Sequence, residues 1–141
     1  MDVRDTVDAG VSAARRSVVG TKGILGLDLL PDRLRYFLRG DAALIGEASA
    51  YSRLAAEAGI LVVVIGDMGF GGSSRWFYAS YNEVGGFFRS SRGTRKSALH
   101  AALTDIKPGQ RYILVDEKWS PAEERWVTTR VHGTLTKTVS R

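Results

Sequence analysis

The sequence contains no cysteine, which excludes disulfides, thiolate metal sites and cysteine nucleophiles. It has only two histidines, His100 and His132, and no cluster of carboxylates accompanies them, so we expect no protein metal site and no cofactor. The longest apolar run, Ile60 to Ile65, is too short to cross a bilayer. The N-terminal residues lack the charge pattern of a secretory signal. We therefore expect a soluble protein with no membrane partner, whose localisation the sequence leaves open.

Positive charge is concentrated in the second part of the chain. The net charge is +5 and the isoelectric point is about 9.8. Residues 86–141 carry 11 Lys and Arg against 5 Asp and Glu, whereas residues 1–85 carry 9 against 10. A basic surface favours phosphate-bearing or otherwise acidic partners. The alternative is a solvated surface that has no particular partner.

The first sixty residues have the periodicity of helices. Apolar residues at steps of three or four predict a helix over residues 2–19. Pro31 suits the first turn of a second helix, which would end before Gly40. Asp41 would cap a third helix that closes at Gly59. This part of the chain is therefore predicted to be helical.

The pattern changes to that of strands at Ile60. The run from Ile60 to Ile65 is β-branched and continuously apolar, which is typical of a central strand. Residues 75–81 alternate, and residues 111–119 and 125–132 predict an antiparallel hairpin. Between them, Thr94 would cap a helix.

These elements predict an α+β fold in one domain of 141 residues. About three N-terminal helices in residues 1–59 would precede a mostly antiparallel sheet of four or five strands. The sheet would occupy residues 60–141, with one inserted helix over residues 94–106.

The stretch from Arg125 to Val139 alternates between two kinds of side chain. The predicted core face carries Val127, Thr129, Val131, Leu135 and Val139. The predicted polar face carries Trp126, Thr128, Arg130, His132, Thr134, Thr136 and Thr138. If Gly133 forms a bulge, Thr134 turns away from His132, and Lys137 takes the place of Thr136 beside it.

The polar face offers the ingredients of metal-independent RNA cleavage, in which a 2′-hydroxyl attacks its own phosphate. A histidine changes charge near neutral pH and can move protons, whereas arginine or lysine can stabilise the charge that develops on phosphorus. The candidate catalytic residues are His132, Arg130, Thr134, Lys137 and His100. The alternative is a solvent-facing sheet in which threonine is simply a good strand former.

A basic segment precedes the inserted helix. Four positive charges fall within eight residues, with no acid among them, directly after two phenylalanines. Basic residues mixed with aromatic ones suit a nucleic-acid backbone and its bases. The candidate nucleic-acid-binding residues are Arg89, Arg92, Arg95, Lys96 and Trp126. Otherwise the segment is an exposed loop that its charges keep soluble.

Two further motifs are assigned structural roles. The glycine-rich loop from Gly66 to Ser74 follows a strand, but it lacks the lysine and hydroxyl of a P-loop, so a hairpin connection is favoured over a nucleotide site. The acidic pairs Asp116-Glu117 and Glu123-Glu124 are predicted to flank a hairpin turn in water.

The leading hypothesis is a basic domain that binds RNA or another polyanion and that, if it is an enzyme, is a metal-independent ribonuclease. Helices ahead of a twisted antiparallel sheet resemble compact bacterial ribonuclease toxin domains at the level of fold. A second hypothesis is a non-enzymatic structural subunit of a larger assembly, such as a phage virion or tail component, with homo-oligomer or assembly neighbours. A third is a binding module for an acidic protein partner.

Overall fold

The computed structural model describes residues 23–38, 48–70 and 75–138, and it covers only the backbone of residues 48–49 and 87–91. The helix predicted over residues 2–19, the Asp41 cap and part of the glycine-rich loop lie outside this range. They stay predictions, as does the organisation of all 141 residues into one domain.

The described residues form a sheet of five strands in the order β3-β2-β1-β4-β5. The strands are β1 Leu61–Asp67, β2 Trp76–Tyr81, β3 Gly86–Arg92, β4 Arg111–Ser120 and β5 Arg125–Thr136. The apolar run predicted to be a central strand is β1, which lies in the middle of the sheet and is buried on both faces. A strand covered on both sides needs apolar side chains at successive positions, which this run supplies.

The described residues also form three helices and one 3-10 turn, which are α1 Asp32–Arg35, α2 Ala48–Ala58, α3 Arg95–Thr104 and the turn Leu27–Leu29. Gly59 follows α2 with a φ of 69°, a left-handed conformation that glycine adopts readily at a helix end. The predicted cap of α3 is confirmed, because Thr94 Oγ1 accepts a hydrogen bond from Ser97 N at 3.0 Å. None of these helices is long and apolar enough to span a membrane.

Each face of the sheet carries its own apolar core. The face covered by α2 and the residues before it, here the α2 face, includes Leu30, Leu34, Leu38, Tyr51, Leu54, Val62, Val64, Ile113, Val115 and Val131. The face covered by α3, here the α3 face, includes Val63, Ile65, Tyr78, Ala98, Ala102, Ile106, Tyr112 and Leu114. Successive residues of β1 and β4 therefore enter opposite cores, as the alternation of strand side chains requires.

The chain has an α+β fold, but the predicted sheet and helix arrangement are corrected. The sheet is mixed, because the central pair β1 and β4 is parallel while the other three neighbouring pairs are antiparallel. The reason is the crossover through α3, which carries the chain from the edge strand β3 across one face and returns it beside β1. The inserted helix is confirmed as α3, between strands β3 and β4, but the helices are not clearly N-terminal, because only the short α1 and α2 are α-helical among the described residues ahead of β1.

The predicted sorting of side chains along β5 is also corrected. The pairing of β5 with β4 shifts at two places, so that Glu117 pairs with Thr128 and Leu114 pairs with Gly133. Thr128 is therefore buried on the α2 face, although the sequence predicts a polar face for it. Leu135 packs into the core of the α3 face, whereas Val131 enters the other core. A bulge inserts one residue and reverses the faces beyond it.

Candidate functional site

Three charged or titratable side chains meet on the α3 face. Arg95 donates from Nη2 to Asp116 Oδ1 at 2.7 Å and from Nε to Asp116 Oδ2 at 3.0 Å. His132 Nε2 lies 3.2 Å from Arg95 Nη2 and 3.3 Å from Asp116 Oδ1. The three side chains are between 20% and 32% exposed, so the cluster is partly shielded but reachable from solvent.

Three separate elements build this cluster. Asp116 comes from β4, His132 comes from the bulge of β5, and Arg95 is the first residue of α3. The bulge matters because it lets His132 and Gly133 share one position opposite Leu114, which keeps the imidazole on the α3 face. A paired carboxylate and guanidinium hold each other by two hydrogen bonds, and this geometry fixes both side chains.

The chemistry open to His132 follows from its contacts. A neutral imidazole can accept the Arg95 hydrogen at Nε2, which places its own hydrogen on Nδ1. Alternatively, Nε2 can donate to Asp116, which leaves Nδ1 as a bare acceptor. In both arrangements Nε2 is occupied, so proton exchange with a ligand would use Nδ1. The Asp116 carboxylate and the Arg95 guanidinium would orient the ring for that exchange.

Of the other two candidate catalytic residues on β5, Arg130 shares the face of His132 and Thr134 does not. Arg130 is exposed and lies directly opposite Asp116 in the strand register, which places it on the same face. Thr134 is exposed and pairs with Ile113, and the bulge at Gly133 turns it away as anticipated. No hydrogen bond between described residues joins His132 to a hydroxyl group.

Lys137 and His100 also lie away from the cluster. Lys137 is on the α3 face, but its ammonium donates to the carbonyls of Leu103 and Ile106 at the C-terminal end of α3. Lys137 lies five positions after His132 in the chain, a span of about 16 Å at the usual rise per strand residue. His100 is exposed on α3.

A second feature is a cavity of about 600 Å³ beside α3, which we call the α3 groove. Its lining residues are Tyr78, Arg92, Lys96, Ser97, His100, Ala101, Thr104 and Asp105. Lys96, His100 and Thr104 recur every four residues and form one row along the helix, and Ser97, Ala101 and Asp105 form the next row. Tyr78 and Arg92 contribute the strand wall.

The predicted nucleic-acid-binding residues divide among several places. Arg92 and Lys96 line the α3 groove, whereas Arg95 points to Asp116. The side chain of Arg89 lies outside the described set. Trp126 is on the α2 face, where its ring centroid lies 4.9 Å from that of Phe77 and 5.5 Å from that of Trp119.

Sequence reasoning missed Asp116 as a site residue and placed it with Glu117 in water. Asp116 and Glu117 lie inside β4 on opposite faces, and Glu117 is only 5% exposed. The signal was available in the chain, since both acids fall inside the predicted strand 111–119. An acid within a strand that is covered on both faces cannot remain fully in water.

Glu117 belongs to a buried polar network on the α2 face. Tyr51 donates its hydroxyl hydrogen to Glu117 Oε2 at 2.8 Å, and its oxygen lies 2.9 Å from Thr128 Oγ1. Burial, and then the charge of Glu117, raise the pKa of Tyr51 well above its ordinary value. The same two causes raise the pKa of the neighbouring Tyr81 to about 12.

The ends of the glycine-rich loop are joined as a hairpin connection requires. Arg75 forms a bidentate pair with Asp67, at 2.8 Å from Nε to Oδ1 and 3.1 Å from Nη2 to Oδ2. Asp67 Oδ1 also accepts from Gly69 N at 2.8 Å. The hydrogen bond from Arg75 is the main cause that lowers the pKa of Asp67. Asp67 is thus held as an anion that closes the hairpin.

Within the residues that the structure describes, no three His, Asp or Glu side chains gather in a way that could hold a metal ion.

No family model, curated protein or solved structure matches this chain.

Proposed function

We propose that this chain binds nucleic acid, with RNA as the leading ligand, through the basic side chains of the α3 groove. The observation that carries the proposal is the convergence of Arg92, Lys96 and His100 on one cavity. Cationic side chains around a concave site are the usual means of holding phosphate. The excess of positive charge in residues 86–141, which include most of the groove, would attract a polyanion to this part of the chain.

The proposal is tested by fluorescence anisotropy with a labelled RNA across a salt series. Affinity should fall as salt rises, because phosphate contacts release counterions. A Lys96→Ala variant should bind more weakly and should lower the slope of log K against log salt by about 0.7, the value for one contact with a single strand. Lys107→Ala is the matched control, since Lys107 is exposed and lies outside the groove.

Two results would count against the proposal. The first is an absence of binding at low salt, and the second is an equal loss of affinity in the Lys96→Ala and Lys107→Ala variants. In either case light scattering becomes the next measurement, because a multimer would favour the structural-subunit hypothesis. That hypothesis and the acidic-partner hypothesis stay predictions.

A second candidate function is metal-independent RNA cleavage at His132. The observation that favours it is the contact of His132 Nε2 with Asp116 and Arg95, which would orient Nδ1 toward a ligand. In this reaction the 2′-hydroxyl oxygen bonds to the adjacent phosphorus and the bond from phosphorus to the 5′-oxygen breaks. His132 would take the 2′-hydroxyl proton, and water would protonate the departing 5′-oxygen. Arg130 would stabilise the charge on phosphorus.

Cleavage is tested by incubating labelled RNA with the protein in EDTA and measuring the rate at saturating RNA. His132→Ala should abolish the reaction, whereas His100→Ala should change affinity but leave this rate intact. DNA of the same sequence should stay whole because it lacks the attacking hydroxyl. Equal cleavage by wild type and His132→Ala would refute the role of His132.

A further inference from the structure

The α3 groove is larger than a phosphate group requires. Its volume of about 600 Å³ falls within the range of about 300–1,000 Å³ that is typical of small-molecule sites. A duplex keeps its bases stacked and presents rows of phosphates to a protein surface. Only a base that has left the stack can enter a cavity, and single strands offer such bases without an unpairing cost.

The groove has basic side chains toward the N-terminal end of α3 and an acidic one at the other end. Lys96 lies near the N-terminal end of α3, and His100 follows one turn later in the same row. Among the described residues, neither side chain has a hydrogen-bond or ion-pair partner. Side chains four residues apart on a helix have their Cβ atoms about 5–6 Å apart, so both can reach one phosphate. The carboxylate of Asp105 lines the other end and would repel a phosphate there.

Ser97 adds a neutral donor at the Lys96 end of the groove. Thr94 Oγ1 donates its hydrogen to Ser97 Oγ at 2.8 Å, which leaves the hydroxyl hydrogen of Ser97 available to a ligand. The partial positive charge at the helix N-terminus acts in the same direction. Tyr78, which is 7% exposed, and Ala101 provide apolar surface for a base between the two ends.

We infer that the α3 groove takes one unstacked nucleotide of a single-stranded nucleic acid, with its phosphate at Lys96 and His100 and its base toward Asp105. This inference rests on the proposed nucleic-acid binding and narrows it to single strands. The decisive variant is Ala101→Phe, which fills the cavity and leaves every charge in place. Ala122→Phe is the control, because Ala122 is exposed in the β4–β5 turn.

The experiment measures anisotropy with a labelled single strand in RNA and DNA forms and with a duplex of the same sequence. The single strand should bind more tightly than the duplex. Ala101→Phe should weaken single-strand binding on the order of tenfold, which is the contribution of one stacked base to affinity. It should leave duplex binding unchanged. A nucleoside 5′-monophosphate should compete with the single strand for the wild type. Thermal unfolding of both variants would show whether they remain folded.

The possible results distinguish binding of one nucleotide in the α3 groove from nucleic-acid binding in general. Equal affinity for single strand and duplex, with no effect of Ala101→Phe and a clear effect of Lys96→Ala, would overturn the inference and leave nucleic-acid binding standing. Should Ala101→Phe prove unfolded, competition by the monophosphate decides: its absence at millimolar concentration overturns the inference. Failure of the wild type to bind any of the probes would overturn the proposed function as well.

Discussion

The buried hydroxyl of Tyr51 offers a sharp test of how α2 is held on the sheet. Tyr51 is fully buried on α2, and its hydroxyl group joins Glu117 of β4 to Thr128 of β5. Because the Tyr51 hydrogen goes to Glu117, the hydrogen between Tyr51 and Thr128 must come from Thr128. This one oxygen therefore links a helix to two strands inside an apolar core.

Replacing Tyr51 by Phe keeps the ring and removes only the hydroxyl. Glu117, which is 5% exposed, would lose a donor that water cannot replace. A hydrogen bond to a charged group contributes about 1.5–3 kcal/mol, so we expect the free energy of unfolding to fall by about 2 kcal/mol. The melting temperature should fall by about 4–8 °C for a chain of this length.

The assay is urea unfolding at neutral pH, monitored by circular dichroism. Tyr36→Phe is the matched control, because Tyr36 is 68% exposed and its hydroxyl lies in water. That variant should change the free energy of unfolding by less than about 0.5 kcal/mol. Equal effects of the two substitutions, or an unchanged midpoint in Tyr51→Phe, would refute the account of the network.

Three further predictions concern stability. Unfolding should become easier as pH rises from about 10 to 12, because burial raises the pKa of Tyr81 to about 12 and the unfolded chain loses that proton first; stability that stays flat in an alkaline titration would contradict this. Gly66→Ala should lower the free energy of unfolding by about 1–3 kcal/mol, because a Cβ there would lie 2.2 Å from the ring of Phe77. Gly85→Ala is the control in urea unfolding, since a Cβ at Gly85 meets no atom within 4 Å. Lys137→Met should lower the free energy of unfolding by about 1 kcal/mol, because the ammonium no longer contacts the carbonyls of Leu103 and Ile106. Thermal melts of this variant beside a Lys107→Met control would measure the loss.

Sequence alone determined the elements whose signals are local. The run from Ile60 to Ile65 predicts β1 because a strand covered on both faces needs successive apolar residues. Thr94 predicts the start of α3 because its hydroxyl can satisfy a free amide of the first turn. The hairpin of β4 and β5 follows from two alternating stretches around a turn. Each of these signals involves residues close together in the chain.

The tertiary structure alone decided which residues far apart in the chain come into contact. Whether β4 pairs with β1 in parallel depends on the crossover through α3, which no short pattern encodes. The alternation of the sequence identifies His132 as a candidate site residue, but two bulges in β5 determine which side chains share its face. Arg95 was predicted to be a solvent-facing nucleic-acid contact, and the packing of α3 on the sheet instead brings it to Asp116. A carboxylate and a guanidinium far apart in sequence meet here only because α3 packs on the sheet beside β4, which also shields both side chains partly from water.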